Sequence, residues 1–229
     1  DKGIRGIVIK LGNMLRHFYE AEDLLVFGSG YSLALASYKA MECGRTGMEF
    51  AVGIPGSIGG AVYMNAGAYD GEMQNIVNCV KVMDLQGNER VLTAEELNFG
   101  YRKTSLQNSG LIVTEVTLKM PSGNKDEIKS KMDDFSHRRI SKQPLEMPSA
   151  GSMFKRPPGY FAGTLIDQAG LKGYTVGGAQ ISTKHAGFVV NVGGATAADV
   201  LQLIKDVQTK IKAGVGVELQ PEVLVIGEE

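Results

Sequence analysis

The chain has 229 residues, 43% hydrophobic, with a formal net charge of −1. That length buries a core without help from disulfides or metal. The near-neutral balance exerts no global pull toward nucleic acid or an acidic membrane surface.

Two cysteines, Cys43 and Cys79, lack CxxC spacing, and the three histidines are not grouped at ligand spacing. Buried free thiols in a reducing compartment and no metal site are the expectation. No apolar run reaches the ~18–20 residues of a membrane span, so a cytoplasmic protein is expected.

In chain order, residues 4–10, 15–19 and 24–27 read as strands, the last ended by Gly28-Ser29-Gly30. Leu33 to Met41 has helical character. Val77 to Met83 is β-branched, and Gln86-Gly87-Asn88 turns it into a hairpin with Val91-Leu92. Residues 111–118 alternate as a further strand. Composition shifts near residue 121. Asn124 then caps a helix whose apolar face carries Ile128, Met132 and Phe135. Short strands are expected at 175–181 and 187–192. Thr196 with Asp199 caps a second helix, striped by Val200, Leu203, Ile204, Val207 and Ile211, with Gly214 closing it. Pro221 to Ile226 reads as a final strand.

The segment with most chemical content is Gly53-Ile54-Pro55-Gly56-Ser57-Ile58-Gly59-Gly60, continuing to Asn65-Ala66-Gly67. It is Gly-rich yet apolar, unlike a polar linker. Glycine lets main-chain N–H groups approach a phosphate, which points to a diphosphate-bearing cofactor. A tightly packed helix start explains the same composition, so both readings stand. It lacks the Walker lysine of a P-loop, and Gly28-Ser29-Gly30-Tyr31-Ser32-Leu33 lacks the third glycine of a Rossmann fingerprint. A strand-ending turn accounts for the latter.

Three further groups are candidates for chemistry. Tyr101-Arg102 follows a helical turn. Ser149-Ala150-Gly151-Ser152 presents a hydroxyl beside a basic patch of Arg138, Arg139, Lys142, Lys155 and Arg156, opposed by Glu146 alone. That patch suits an anionic small molecule. Glu222 opens an otherwise apolar segment, either as a surface residue or as a semi-buried acid.

Taken together and in this order, these motifs resemble the UDP-N-acetylenolpyruvoylglucosamine reductase (MurB) family, flavoenzymes of bacterial peptidoglycan precursor synthesis. The likeness also takes in Ala162 to Gly173, Gly177-Gly178-Ala179, Val190-Asn191 and Pro221-Glu222-Val223. It implies an α+β fold. A partial FAD-binding domain of the vanillyl-alcohol-oxidase (PCMH) type would occupy residues 1–122, without the N-terminal lobe that family members carry. A substrate-binding domain would follow at 123–218, and a C-terminal strand at 219–229 would return to the FAD-binding domain.

By the same resemblance, the cofactors are FAD and NADPH, and the substrate is UDP-N-acetylglucosamine enolpyruvate, reduced to UDP-N-acetylmuramate. Arg102, Ser152 and Glu222 match the catalytic residues. Residues 53–60, Asn65, Ala66, Gly67 and Tyr101 match the cofactor-binding segment. Lys142, Arg156 and His185 fall where the substrate is contacted. A monomer without nucleic-acid or membrane partners is implied. Two rivals are another PCMH-type oxidase, which needs a covalent His or Cys, and a flavin-free fragment that binds nucleotide sugars without turnover.

Overall fold

The computed structural model describes residues 3–227. They divide into two compact units, one of residues 8–138 and one of 139–227 with 3–7. Among the described residues, no helix is long and apolar enough to cross a membrane.

The first unit is built on β1 (Phe18–Ala21) and β2 (Leu24–Gly28), then α1 (Leu33–Glu42) and α2 (Ile58–Tyr63), then the small ribbon β3 (Gly67–Ala68) and β4 (Gly71–Glu72). Next come β5 (Val77–Met83), β6 (Glu89–Thr93) and β7 (Ile112–Lys119), and α3 (Lys125–Lys142) follows. The five long strands form an antiparallel sheet in the order β1-β2-β7-β5-β6. Alternation in β5 sends Val80 and Val82 inward, as a pleat of period two requires, and Val77 joins them across a register shift between Val77 and Cys79. Those side chains share one core with Leu25, Phe27, Val116 and Leu118, and with Leu33, Ala36, Ile58 and Val62 of the two helices. Asn124 caps α3 as expected, its Oδ1 accepting from the N–H groups of Asp126 and Glu127.

Two expectations fail here. Residues 4–10 form no strand and are largely exposed, Ile7 at 93%. A β-branched run needs a paired edge to become a strand, and none lies beside it among the described residues. The strand expected at 15–19 begins only at Phe18, after a 3₁₀ turn at Asn13–Leu15.

The second unit holds β8 (Ser149–Ser152), α4 (Ala162–Gln168), β9 (Thr175–Val176), β10 (Ala179–Ile181), β11 (Phe188–Asn191) and α5 (Ala197–Val215). Its antiparallel sheet has the order β8-β11-β10-β9. Leu203, Ile204, Val207 and Ile211 of α5 join Leu165, Ile166, Ile181 and Val189 in its core. The capping box is present: Thr196 Oγ1 accepts from Asp199 N–H at 3.2 Å, and Asp199 Oδ2 from Thr196 N–H at 2.9 Å. The stop is Gly216, at φ 72°, and not Gly214, because only the later residue takes the left-handed turn that releases the chain. The single strand expected over 175–181 is interrupted at Gly177-Gly178. A Cβ on Gly178 would stand 2.4 Å from Ala195 N and Gly193 O, so the glycines let this hairpin pass beneath the start of α5. The final strand reduces to one bridge, Phe154 with Pro221. Glu222 and Val223 after it are half-buried, and from Leu224 the chain is exposed, Leu224 at 85%.

Candidate functional site

The glycine run sits in the first unit, where α2 begins. Ser57 caps that helix, its Oγ accepting from Gly60 N–H at 3.2 Å. Ile58 N–H donates to Tyr31 O and Gly59 N–H to Ser29 O, each at 2.9 Å. The amides expected to cradle a phosphate are therefore committed to protein acceptors from Ile58 to Gly60. Gly59 is glycine for another reason: its ideal Cβ would lie 2.7 Å from Ser29 Cβ and 2.9 Å from Ser29 O. The helix-start reading accounts for this half of the run.

Gly56 is different. It has φ 119°, and a Cβ there would meet nothing within 4 Å. It borders a groove of about 540 Å³ that is lined by Gly30, Tyr31, Ser32, Leu35, Gly56 and Ser57. Arg16 is the one charged residue of the lining. The turn Gly28-Ser29-Gly30-Tyr31-Ser32 thus faces the glycine run, joined to it by the bridge between Ser32 and Ser57. Sequence reading passed over Arg16, Tyr31, Ser32 and Leu35. The only local signal was Ser32, an N-cap one residue before α1.

Asn65 is buried, with φ 46°. Its Nδ2 donates to Glu72 Oε2 and Gly100 O, and its Oδ1 accepts from Gln74 N–H, all at 3.0 Å. It ties the β3–β4 ribbon to the turn carrying Tyr101 and Arg102. Ala66 is buried, and Gly67 O accepts from Arg102 Nη2 at 3.2 Å. Arg102 adopts φ 54° and lies over the ring of Tyr101, 5.4 Å from its centroid. A non-glycine residue in this conformation is held by its surroundings. Asn65, Gly67, Tyr101 and Arg102 form one connected cluster.

The second unit gathers the other candidates. Ser152 ends β8, exposed, with its Oγ 3.4 Å from Phe154 O. Glu222 is half-buried, and its N–H donates to Met153 O at 2.9 Å. The Phe154–Pro221 bridge therefore brings Ser152 and Glu222, remote in sequence, beside one another along the backbone. Across the sheet, Phe188 pairs with Ser152, and the His185 ring stands edge-on to Phe188 at 5.0 Å. Arg156 is exposed and stacks 4.0 Å above the Phe161 ring. Lys142 is exposed at the end of α3.

His185 Nδ1 accepts the Gly187 N–H at 3.0 Å, which leaves Nε2 to carry the ring proton. Burial holds its pKa below the usual histidine value, and the ammonium groups of Lys172 and Lys142 lower it further against Asp167. The folded state thus favours the neutral ring, and the unfolded chain takes up the proton first. Stability is complete above the unfolded value, about 6.5, and is lost as pH falls through the folded one. The melting temperature of the wild-type chain is expected to fall more steeply from neutral pH to pH 5 than that of His185→Gln. Parallel curves would contradict this account.

Comparison with known proteins agrees with the two units. Residues 143–226 match the model of the UDP-N-acetylenolpyruvoylglucosamine reductase C-terminal domain, and residues 1–93 match that of a FAD binding domain. The chain is similar to the UDP-N-acetylenolpyruvoylglucosamine reductase of Clostridium perfringens (strain SM101), 52% identical over all of this chain and 75% of that protein. The corresponding protein of Caldanaerobacter subterraneus is 48% identical, over all of this chain and 76% of its own length. A crystal structure of UDP-N-acetylenolpyruvylglucosamine reductase (MurB) from Thermus caldophilus aligns with a TM-score of 0.85 and 39% identity, covering 99% of this chain and 80% of that one. The chain belongs to the UDP-N-acetylenolpyruvoylglucosamine reductase family, FAD-dependent oxidoreductases of peptidoglycan synthesis.

Proposed function

We propose that this chain binds FAD and, with NADPH as reductant, reduces UDP-N-acetylglucosamine enolpyruvate to UDP-N-acetylmuramate. The observation that carries the reading is the placement of Ser152 beside Glu222 through the Phe154–Pro221 bridge. It sets the backbone next to Ser152 against the backbone at Glu222, two segments far apart in sequence. We read residues 1–122 as the FAD-binding domain, 123–218 as the substrate domain and 219–229 as a C-terminal segment. The protein would act as a monomer in the cytoplasm.

The residues fit the cofactor. Gly56 lines the groove, and an ideal Cβ on it would meet nothing within 4 Å, so the run leaves open space at that point. Residues 53–60, with Asn65, Ala66, Gly67 and Tyr101, would hold it. Bound FAD would supply hydride relay from the nicotinamide to the enolpyruvyl double bond.

Net reduction of the enol ether adds a hydride at C3 and a proton at C2. Ser152 would give that proton. A serine is a weak acid, but the carbon it protonates is a strong base, so transfer is feasible with good geometry. As C3 is reduced, charge builds on the substrate carboxylate. Arg102 would offer it a planar pair of donors, and Glu222, when protonated, another. Lys142 and Arg156 would bind the anionic substrate, and His185 would donate from Nε2.

The test is to add FAD to the purified chain, remove the excess, and record the visible spectrum. A retained flavin band followed by NADPH-dependent formation of UDP-N-acetylmuramate is expected. A colourless protein that still binds UDP would support the flavin-free nucleotide-sugar-binding reading instead.

A further inference from the structure

The groove beside Gly56 has one feature that none of the expected site residues explains. Its single charged residue, Arg16, sits on a turn whose position is fixed from several directions. Arg16 N–H donates to Asn13 O at 3.0 Å, and Gly30 N–H to Leu15 O at 2.7 Å. Gly28 N–H donates to His17 O at 2.9 Å. The Arg16 stem lies over Gly30, with Cγ 3.6 Å from where a Cβ of Gly30 would stand. Its guanidinium donates to Asn13 Oδ1 at 3.3 Å and forms no ion pair among the described residues. Five N–H donors belong to that group, so most remain for a ligand.

The other polar groups of the groove have the same character. Ser32 Oγ accepts from Leu35 N–H, and Ser57 Oγ from Gly60 N–H. A hydroxyl that accepts as a cap still has its own proton to donate. Arg16, Ser32 and Ser57 therefore present donors and one positive charge, with no carboxylate in the lining. Arginine matches phosphate geometry with two parallel N–H groups. The open backbone at Gly56 leaves space for that anion to lie close.

We infer that Arg16 is the cation that holds the diphosphate of bound FAD in the groove formed with Ser32, Gly56 and Ser57. The inference rests on the reading of the chain as a FAD binder. It adds a residue outside the glycine run and assigns it the charged part of the cofactor. NADPH and the UDP-sugar also carry a diphosphate. FAD is the assignment because the entire lining falls within residues 1–93, the part that matches a FAD binding domain.

The experiment measures equilibrium binding of FAD, riboflavin and UDP to the wild-type chain, Arg16→Ala and Arg16→Lys. Flavin fluorescence serves for the first two ligands and calorimetry for UDP. Loss of a charge-assisted hydrogen bond predicts a FAD dissociation constant raised about 10- to 100-fold in Arg16→Ala. Riboflavin, which lacks phosphate, should bind both chains equally, and Arg16→Lys should recover part of the loss. The wild-type affinity for FAD should also weaken as salt is raised. FAD binding to Arg16→Ala within about threefold of wild type would overturn the role of Arg16 while leaving the flavin reading intact. Equal weakening of riboflavin would overturn it too, by tracing the loss to packing instead of charge. Weakening confined to UDP would assign the groove to substrate and overturn the inference. Failure of the wild-type chain to bind FAD would overturn both readings together.

Discussion

Replacing Ser152 with alanine is expected to slow formation of UDP-N-acetylmuramate in a single turnover by about 10²–10⁴-fold, the usual loss when a general acid is removed. The structural ground is the state of the hydroxyl. Ser152 is exposed at the end of β8, and its Oγ stands 3.4 Å from Phe154 O. That is well beyond the usual O–H···O separation of about 2.5–3.0 Å, so the proton is barely engaged and can be given to a substrate. The backbone at Ser152 is held by pairing with Phe188 across β11, and alanine preserves it, so a folding defect is not expected. NADPH oxidation without the enolpyruvyl substrate should stay within a few-fold of wild type, since no proton from Ser152 is needed there. Equal slowing of both steps, or less than a tenfold loss in product formation, would rule out the proton-donor role.

A second large effect concerns the glycine run and separates packing from cofactor binding. Gly59→Ala places a Cβ against backbone and Cβ of Ser29, at 2.7–2.9 Å. Ser29 is fully buried, and its carbonyl accepts the Gly59 N–H, so neither partner can step aside without moving the turn after β2. Overpacking of this kind costs about 1–3 kcal/mol, or roughly 2–12 °C in melting temperature for a chain of this size. Gly60→Ala is the control. Its Cβ would approach nothing nearer than Ser57 Oγ at 3.4 Å, and alanine is favoured over glycine in a helix by up to about 1 kcal/mol. Its melting temperature should hold or rise. A comparable fall for both variants would show that the helix start, and not the contact with Ser29, is what glycine protects.

The glycine run shows where reading a sequence reaches its limit. Its composition indicated backbone pressed close to something, and that is correct at Gly59. It could not say that the close neighbour is the chain itself, because Ser29 lies on a different element. Gly56, in the same run, has open surroundings instead, with nothing within 4 Å of an ideal Cβ. Arg16 carried no signal at all, as an exposed arginine in a loop has no periodicity or motif to mark it. Residues 4–10 went wrong for a related reason: β-branched content describes what a strand favours, while a strand exists only where a partner edge is available.

The chain by itself determined what depends on near neighbours in sequence. The caps at Asn124 and Thr196 are of this kind, as are the stripe of α5 and the alternation of Val80 and Val82 in β5. Side chains three or two residues apart settle such features locally. The order of motifs also sufficed to place the chain in its family. Tertiary structure decided which remote segments meet: Met153-Phe154 with Pro221-Glu222, the 28–32 turn with the glycine run, and Gly177-Gly178 beneath the start of α5. These contacts depend on sheet order and on the few ångströms left between packed backbones. No local pattern of residue types encodes either.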